Sequence, residues 1–441
     1  MTEYNNTAFT RDLMNFIEES PSCFHATAAI AKRLDEAGFV RLNEGQEWNI
    51  EGGKGYYVLR NLSSVIAFRL PESGSFEGFN ISAAHSDFPC FKIKEIGELA
   101  RAEYTGVNTE SYGGAILSSW LDRPLSVAGR LICRTEKGVE LKLVNIDRDL
   151  LLIPNVAPHM NRQINSGFQY NVAVDMVPLF GAGKPEGKLN KLITEAAGVA
   201  EEDVLGADLF VYNRMPGTVW GAENEFFSIR AIDNLQCAYT SLRGFLAATP
   251  TENCAVYCNF DNEEVGSSTK QGAGSTFLYD VLRRITKNES EEQYRMHLAS
   301  SFLLSCDNAH ALHPNHPEYS DSKNRVVMGG GVVMKFNASQ RYTTDGVSEA
   351  FVKYLCKEND IPLQFFANRS DIGGGSTLGG IASTRVSINS ADVGLAQLAM
   401  HSSYETASVA DSTAMAKLNE AFFSSGLIAD GGESYRFGGK E

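Results

Sequence analysis

The first forty residues read as helix. Phe9, Leu13, Phe16 and Ile17 share one face, and Ala26, Ala29, Ile30 and Leu34 repeat the spacing after Ser20-Pro21-Ser22, so residues 8–37 are predicted helical with a break at the proline. From Gly55 the apolar runs shorten to strand length. Tyr56–Leu59 and Ser64–Phe68 flank a short turn at Arg60-Asn61-Leu62, and a third run, Phe79–Ala84, stops at His85-Ser86-Asp87. Between residues 95 and 223 short pieces such as Val127–Ile132 and Val139–Val144 alternate with turns, which predicts a mostly β insertion. Helix–strand alternation returns at Ile229. It places helices at Asp233–Ala248, Thr276–Ile285 and Val347–Glu358, strands at Cys254, Ser301–Ser305 and Leu363–Phe366, and a long amphipathic helix at Glu405–Phe423. This order predicts an α/β fold, a mixed sheet flanked by helices, with sites beyond the carboxyl ends of its strands.

The most informative stretch is Asn259-Phe260-Asp261-Asn262-Glu263-Glu264-Val265-Gly266-Ser267. A mostly apolar run, Ala255–Cys258, delivers three acids there, two of them adjacent. Packed carboxylates at the end of a buried strand are unfavourable unless something positive joins them. A metal ion is the simplest answer, with one glutamate as ligand and its neighbour as the base that takes a proton from water. A solvated acidic turn is the alternative reading of this motif alone.

Four further sites carry the same signature, an apolar run ending on a ligand-type residue: His85, Asp233, Asp307 and His401. With Glu264 they make two histidines and three carboxylates, a set that suits two zinc ions sharing one carboxylate. Singly, Asp233 reads equally as a helix N-cap and the histidines as core residues. Their joint occurrence beside the Glu-Glu pair favours metal.

Composition narrows the partners. The 441-residue chain is too long for one ordinary core, and 43% hydrophobic with 21% charged residues is ordinary for a globular protein. A formal net charge of −15 disfavours nucleic acid and anionic membranes as partners. Eight cysteines without a Cys-x-x-Cys pair predict free thiols in a reducing compartment. Met1-Thr2-Glu3-Tyr4 begins no basic-then-apolar leader and no apolar run is of membrane length, so a cytoplasmic location is expected.

His85-Ser86-Asp87-Phe88-Pro89, Asp233-Asn234, Asp261–Ser267, Asp307–Asn315 and Met400-His401-Ser402 resemble, in order, the motifs of the aspartyl aminopeptidase family, which also includes the yeast vacuolar aminopeptidase. The resemblance extends over nearly the whole chain. It implies that His85 and Asp307 bind one zinc, that Glu264 and His401 bind the other, and that Asp233 bridges them; cobalt or manganese can share such ligands. Glu263 would be the general base, and Asp87 would orient His85. The resemblance also implies a catalytic domain at 1–94 and 224–441 interrupted by a β-rich oligomerisation domain at 95–223. The assembly would be a homododecamer acting on short peptides, with an acidic first residue, Asp or Glu, as one option. Lys335, inside Val332–Phe336, and Tyr342 would line the substrate pocket, and His159 would reach a neighbouring subunit's site. Without the resemblance, Lys335 reads equally as a lysine extending to a sheet edge and His159 as a surface loop residue.

Two other features read as decoys. His310, His313 and His316 are spaced like metal motifs, but Pro314 and Pro317 break the helix such spacing needs. Gly373–Gly380 lacks the Gly-Lys-Ser/Thr ending of a nucleotide cradle and suits close backbone approach to a substrate instead. Two other functions remain open on residues alone: a dinuclear hydrolase of another bond, and a non-catalytic assembly protein with a degenerate metal site.

Overall fold

The computed structural model describes residues 1–430 and 433–438. Its main sheet holds thirteen strands among the described residues and is mixed. Three neighbouring strands in its middle carry candidate site residues at their ends. Cys254–Phe260 runs parallel to Phe79–His85, with Phe260 opposite His85, and Phe79–His85 runs parallel to Phe302–Cys306. Their carboxyl ends therefore lie at one edge. Asn389–Leu398 continues the parallel order beside Phe302–Cys306.

These strands are buried on both faces, which is why they read as unbroken apolar runs. On one face lie the helices Ile232–Ala247 and Asp411–Phe423, packed with the amino-terminal helices Asn6–Glu18 and Cys23–Glu36. The expected break between those two helices falls at Ser20-Pro21-Ser22 as predicted, with Phe9, Leu13, Phe16 and Ile17 all buried. The opposite face is covered by Phe277–Ile285 and Leu378–Val386, through Phe277, Leu278, Val281, Leu282, Leu378 and Ala382.

A second sheet of six strands is formed by Cys90–Arg101, Tyr104–Tyr112, Leu125–Thr135, Gly138–Asn145, Leu179–Ala182 and Val204–Asn213. Its first strand starts ahead of residue 95, and Thr218–Trp220 pairs into the main sheet instead. All eight cysteines are free and buried. No helix among the described residues is long and apolar enough to cross a membrane.

The long helix expected over Glu405–Phe423 is corrected. Glu405–Ser408 is a strand, antiparallel to Phe226–Ile229, and the helix begins only at Asp411. Long-range pairing outweighed the local helical pattern. The Asp411 carboxylate accepts the backbone N–H groups of Gly329 and Gly331, which ties the start of that helix to the loop below it.

Candidate metal centre

The three parallel strand ends deliver His85, the Glu263-Glu264 turn and Asp307 to one place. Asp233 enters at the start of Ile232–Ala247, and His401 from the loop after Asn389–Leu398. Asp307 can sit where it does because the next strand carries Gly394 beside it. A Cβ built on Gly394 would stand 1.9 Å from the Asp307 carbonyl oxygen.

Both imidazoles are oriented in the same way. His85 Nδ1 donates to the Asp87 carbonyl at 3.0 Å and His401 Nδ1 donates to the Gly114 carbonyl at 3.1 Å. A carbonyl only accepts, so Nδ1 carries a proton in each ring and Nε2 is the nitrogen left to meet a cation once its own proton is released. His85 Nε2 lies 3.7 Å from Asp233 Oδ1 and 4.0 Å from Asp307 Oδ1. His401 Nε2 lies 3.3 Å from Asp233 Oδ2 and 3.6 Å from Glu264 Oε2. Asp233 thus turns one oxygen toward each histidine.

The residues form two cation-type groupings, His85/Asp233/Asp307 and Asp233/Glu264/His401, in which the ligand atoms lie within 4.8 Å of one another; Asp233 belongs to both. A third grouping joins His85 to Glu263 and Glu264. Asp233 Oδ1 and Glu264 Oε1 are buried and accept no hydrogen bond. Orphaned carboxylate oxygens at such depth are costly without a positive partner, and divalent ions meet that need.

The acid cluster perturbs its own members. Burial pushes the Glu263 carboxyl up to about 8, with Asp307, Asp87 and Asp233 adding to the rise against His85. Asp307 rises to about 6, again chiefly by burial. His401 rises to about 10: burial opposes its charge, but its bond to Asp233 and the nearby Glu264 carboxylate outweigh that. A cation held by these groups would displace their protons, so its binding would weaken as pH falls.

Asp87 does more than the expected orientation of His85. Its carbonyl holds the ring, while its carboxylate stands 3.4 Å from Nδ1 and accepts the backbone N–H groups of Glu263 and Glu264, each at 3.1 Å. The same carboxylate takes the Tyr112 hydroxyl at 2.8 Å. The Glu-Glu turn is therefore fixed by its backbone, and its side chains are left for chemistry.

Lys335, expected to line the substrate pocket, packs against Asp307. It is 2% exposed, and its ammonium donates to the Asp307 and Asn308 carbonyls at 2.8 and 3.2 Å, with Asp307 Oδ2 at 3.9 Å. Tyr342 is also buried, with its ring 5.1 Å from the ammonium. Lys335→Met should therefore lower turnover on acidic and neutral first residues alike. The lost charge-assisted bonds are worth about 1.5–3 kcal/mol. A loss confined to acidic substrates in a paired kinetic comparison would restore direct contact with the substrate.

His159 sits on an exposed turn of the second sheet's connections, outside the constellation. His310, His313 and His316 belong to none of the cation-type groupings among the described residues; His316 stacks on Tyr319 and pairs with Glu318. Residues 373–377 are loop, and Leu378–Val386 is a helix that the glycines concealed.

Sequence reasoning missed Tyr112, Gly114 and Glu405. Tyr112 and Gly114 act through a hydroxyl and a carbonyl supplied from the second sheet, which no local pattern marks. Glu405, four residues after His401, was hidden by the helix assigned over it.

Residues 16–423 match the family model described as Aminopeptidase I zinc metalloprotease (M18). A probable M18 family aminopeptidase 2 from Clostridium novyi (strain NT) is 43% identical over 417 residues, covering 92% of this chain and 96% of the relative. The cryo-EM structure of the Ape4 and Nbr1 complex contains a chain that superposes with TM-score 0.91 at 31% identity, over 95% of this chain and 86% of that one. The fold is shared too with the S. cerevisiae mApe1 dodecamer, at TM-score 0.85 and 24% identity over 95% and 97% of the two chains. The chain belongs to the M18 family of aminopeptidases, which are metallopeptidase hydrolases.

Proposed function

We propose that this M18 aminopeptidase is a dinuclear zinc enzyme that removes the first residue from short peptides. The observation that carries the reading is the Asp233 carboxylate common to two cation-type groupings. His85 and Asp307 would hold one ion with Asp233, and Glu264 and His401 the other; cobalt or manganese would be accepted by the same donors. Bound there, the ions would supply Lewis acidity toward the scissile carbonyl and toward water.

The chain's own residues supply the proton traffic. Glu263 takes a proton from the attacking water at its carboxylate and returns it to the leaving amine nitrogen. Burial and the neighbouring acids raise the carboxyl of Glu263 in the cation-free chain. Asp87 keeps its backbone in place. The first side chain would enter the cavity of about 480 Å³ beside the centre, walled by His310, Phe366, Arg369, Gln397 and Leu398. An acidic first residue, Asp or Glu, is one option for that cavity, and Lys335 and Tyr342 are the pocket residues expected to meet it.

The second sheet, spanning Cys90 to Asn213, is read as the core of the inserted domain expected at 95–223, which would join subunits, with 1–94 and 224–441 as the catalytic domain. The dodecamer of the mApe1 relative supports a homododecamer. The exposure of His159 is what a residue lent to a neighbouring site requires. Free buried thiols support a cytoplasmic location, and the −15 charge argues against nucleic acid or membrane partners.

The test is a substrate screen on zinc-loaded protein of measured mass. Peptides with a free amino terminus should be cleaved, N-blocked ones spared, and chelation should abolish activity reversibly with two ions lost per chain. Light scattering should give a mass many times 48.1 kDa. Cleavage of N-blocked substrates, or a fully active species of single-chain mass, would overturn the corresponding part.

A further inference from the structure

Glu405 is 1% exposed and belongs to no cation-type grouping among the described residues. Both its oxygens face backbone. Oε2 accepts the Asp233 N–H at 3.0 Å, and Oε1 accepts the His401 N–H at 2.7 Å. The Gln397 side-chain amide also reaches Oε1, at 3.4 Å. One carboxylate therefore fixes the backbone of two of the three residues that would hold one ion, from segments far apart in the chain.

Those segments need an external hold. His401 has a left-handed φ of 69° and Ala231, two residues before Asp233, a left-handed φ of 52°. Neither residue is glycine, and non-glycine residues in this region persist only where the surroundings over-determine them. A third buried acid beside Asp233 and Glu264 is a costly way to provide two hydrogen bonds. Its fork, however, is what a neutral amide cannot copy, since an amide offers one acceptor and one donor where two acceptors are needed.

Resting on the metal-centre reading above, we propose that Glu405 is a positioning residue for the ion held by Asp233, Glu264 and His401. It acts through the Asp233 and His401 backbones, and its loss is felt as weaker cation binding. Asp87 does the equivalent for Glu263 and Glu264 on the other side of the centre.

The test compares the full-length wild type with Glu405→Gln and Glu405→Asp. Zinc affinity is read by competition with a chromophoric chelator, and folding of the metal-free chains by circular dichroism and thermal unfolding. In Glu405→Gln one of two bound zinc ions should weaken by about tenfold or more, as loss of a ligand-supporting partner does, while the metal-free chain unfolds near the wild-type temperature. At saturating zinc KM should be unchanged. Glu405→Asp, which keeps both acceptors on a shorter stem, should fall between; it carries the test if Glu405→Gln does not fold. Asp411→Asn is the control. Asp411 is another buried acid that accepts two backbone N–H groups, but away from the centre. It should lower stability and leave zinc affinity unchanged. Wild-type zinc affinity in both Glu405 variants, or an equal loss in Asp411→Asn, would overturn the proposal. A wild-type chain that binds fewer than two zinc ions would instead overturn the dinuclear reading beneath it.

Discussion

Glu263→Gln should cut turnover by about a hundredfold or more with both ions still bound. The substitution keeps the shape of the side chain and removes the site that accepts a proton. Its backbone anchor, the N–H donated to Asp87, does not change, so the turn should stay in place. The carboxylate is 16% exposed, enough for access from the cleft, and sits 3.9 Å from His85 Nε2. Glu264→Gln should behave differently, because Glu264 pairs with His401 and belongs to a shared-carboxylate grouping. There metal content should fall together with rate. The check is kcat measured beside elemental analysis for both variants. Near-wild-type turnover in Glu263→Gln would remove it as the base, and full metal with lost rate in both would mean that the two glutamates have been assigned the wrong way round.

Gly394→Ala should be as damaging, though it touches no substrate. Its Cβ would lie 1.9 Å from the Asp307 carbonyl oxygen and 2.9 Å from its carbonyl carbon, and backbone cannot yield as a side-chain tip can. The same stretch of strand accepts the Asp307 N–H at the Val393 carbonyl, 2.9 Å away, so relief by separation breaks a ladder bond. Overpacking of this kind costs about 1–3 kcal/mol, and more against rigid backbone. Asp307 and Lys335, which holds its carbonyl, should move together. The expected result is a lower unfolding temperature together with loss of one ion per chain. A variant of wild-type stability and metal content would mean that the strands separate there at little cost.

The catalytic body was legible in the sequence because its signals are local and repeated. Unbroken apolar runs ending on His85, Glu263-Glu264 and Asp307 predicted strands, and they are adjacent and parallel. The two helices before residue 37 were equally plain, since one turn of spacing places Phe9, Leu13, Phe16 and Ile17 on one buried face. The errors came where distant pairing set the outcome. Glu405–Ser408 became a strand because Phe226–Ile229 lay waiting for it. The capping-box helix Glu291–Ala299 escaped because its apolar face is narrow, with only Tyr294 and Leu298 buried. Lys335 is expected from the resemblance to line the substrate pocket; its bonds to the Asp307 and Asn308 carbonyls are contacts that no local pattern marks.

The short segment that leaves the second sheet after Tyr112 has a consequence for how this protein can be divided. Tyr112 reaches Asp87, the Gly114 carbonyl fixes the His401 ring, and Ile116 donates its N–H to the His401 carbonyl. A shortened chain that kept every ligand and simply bridged residues 89 and 214 would retain the parts of the centre without their alignment. The second sheet is thus no detachable accessory, and miniaturising or grafting this enzyme would have to carry the stretch from Tyr112 to Ser119 along with the catalytic body.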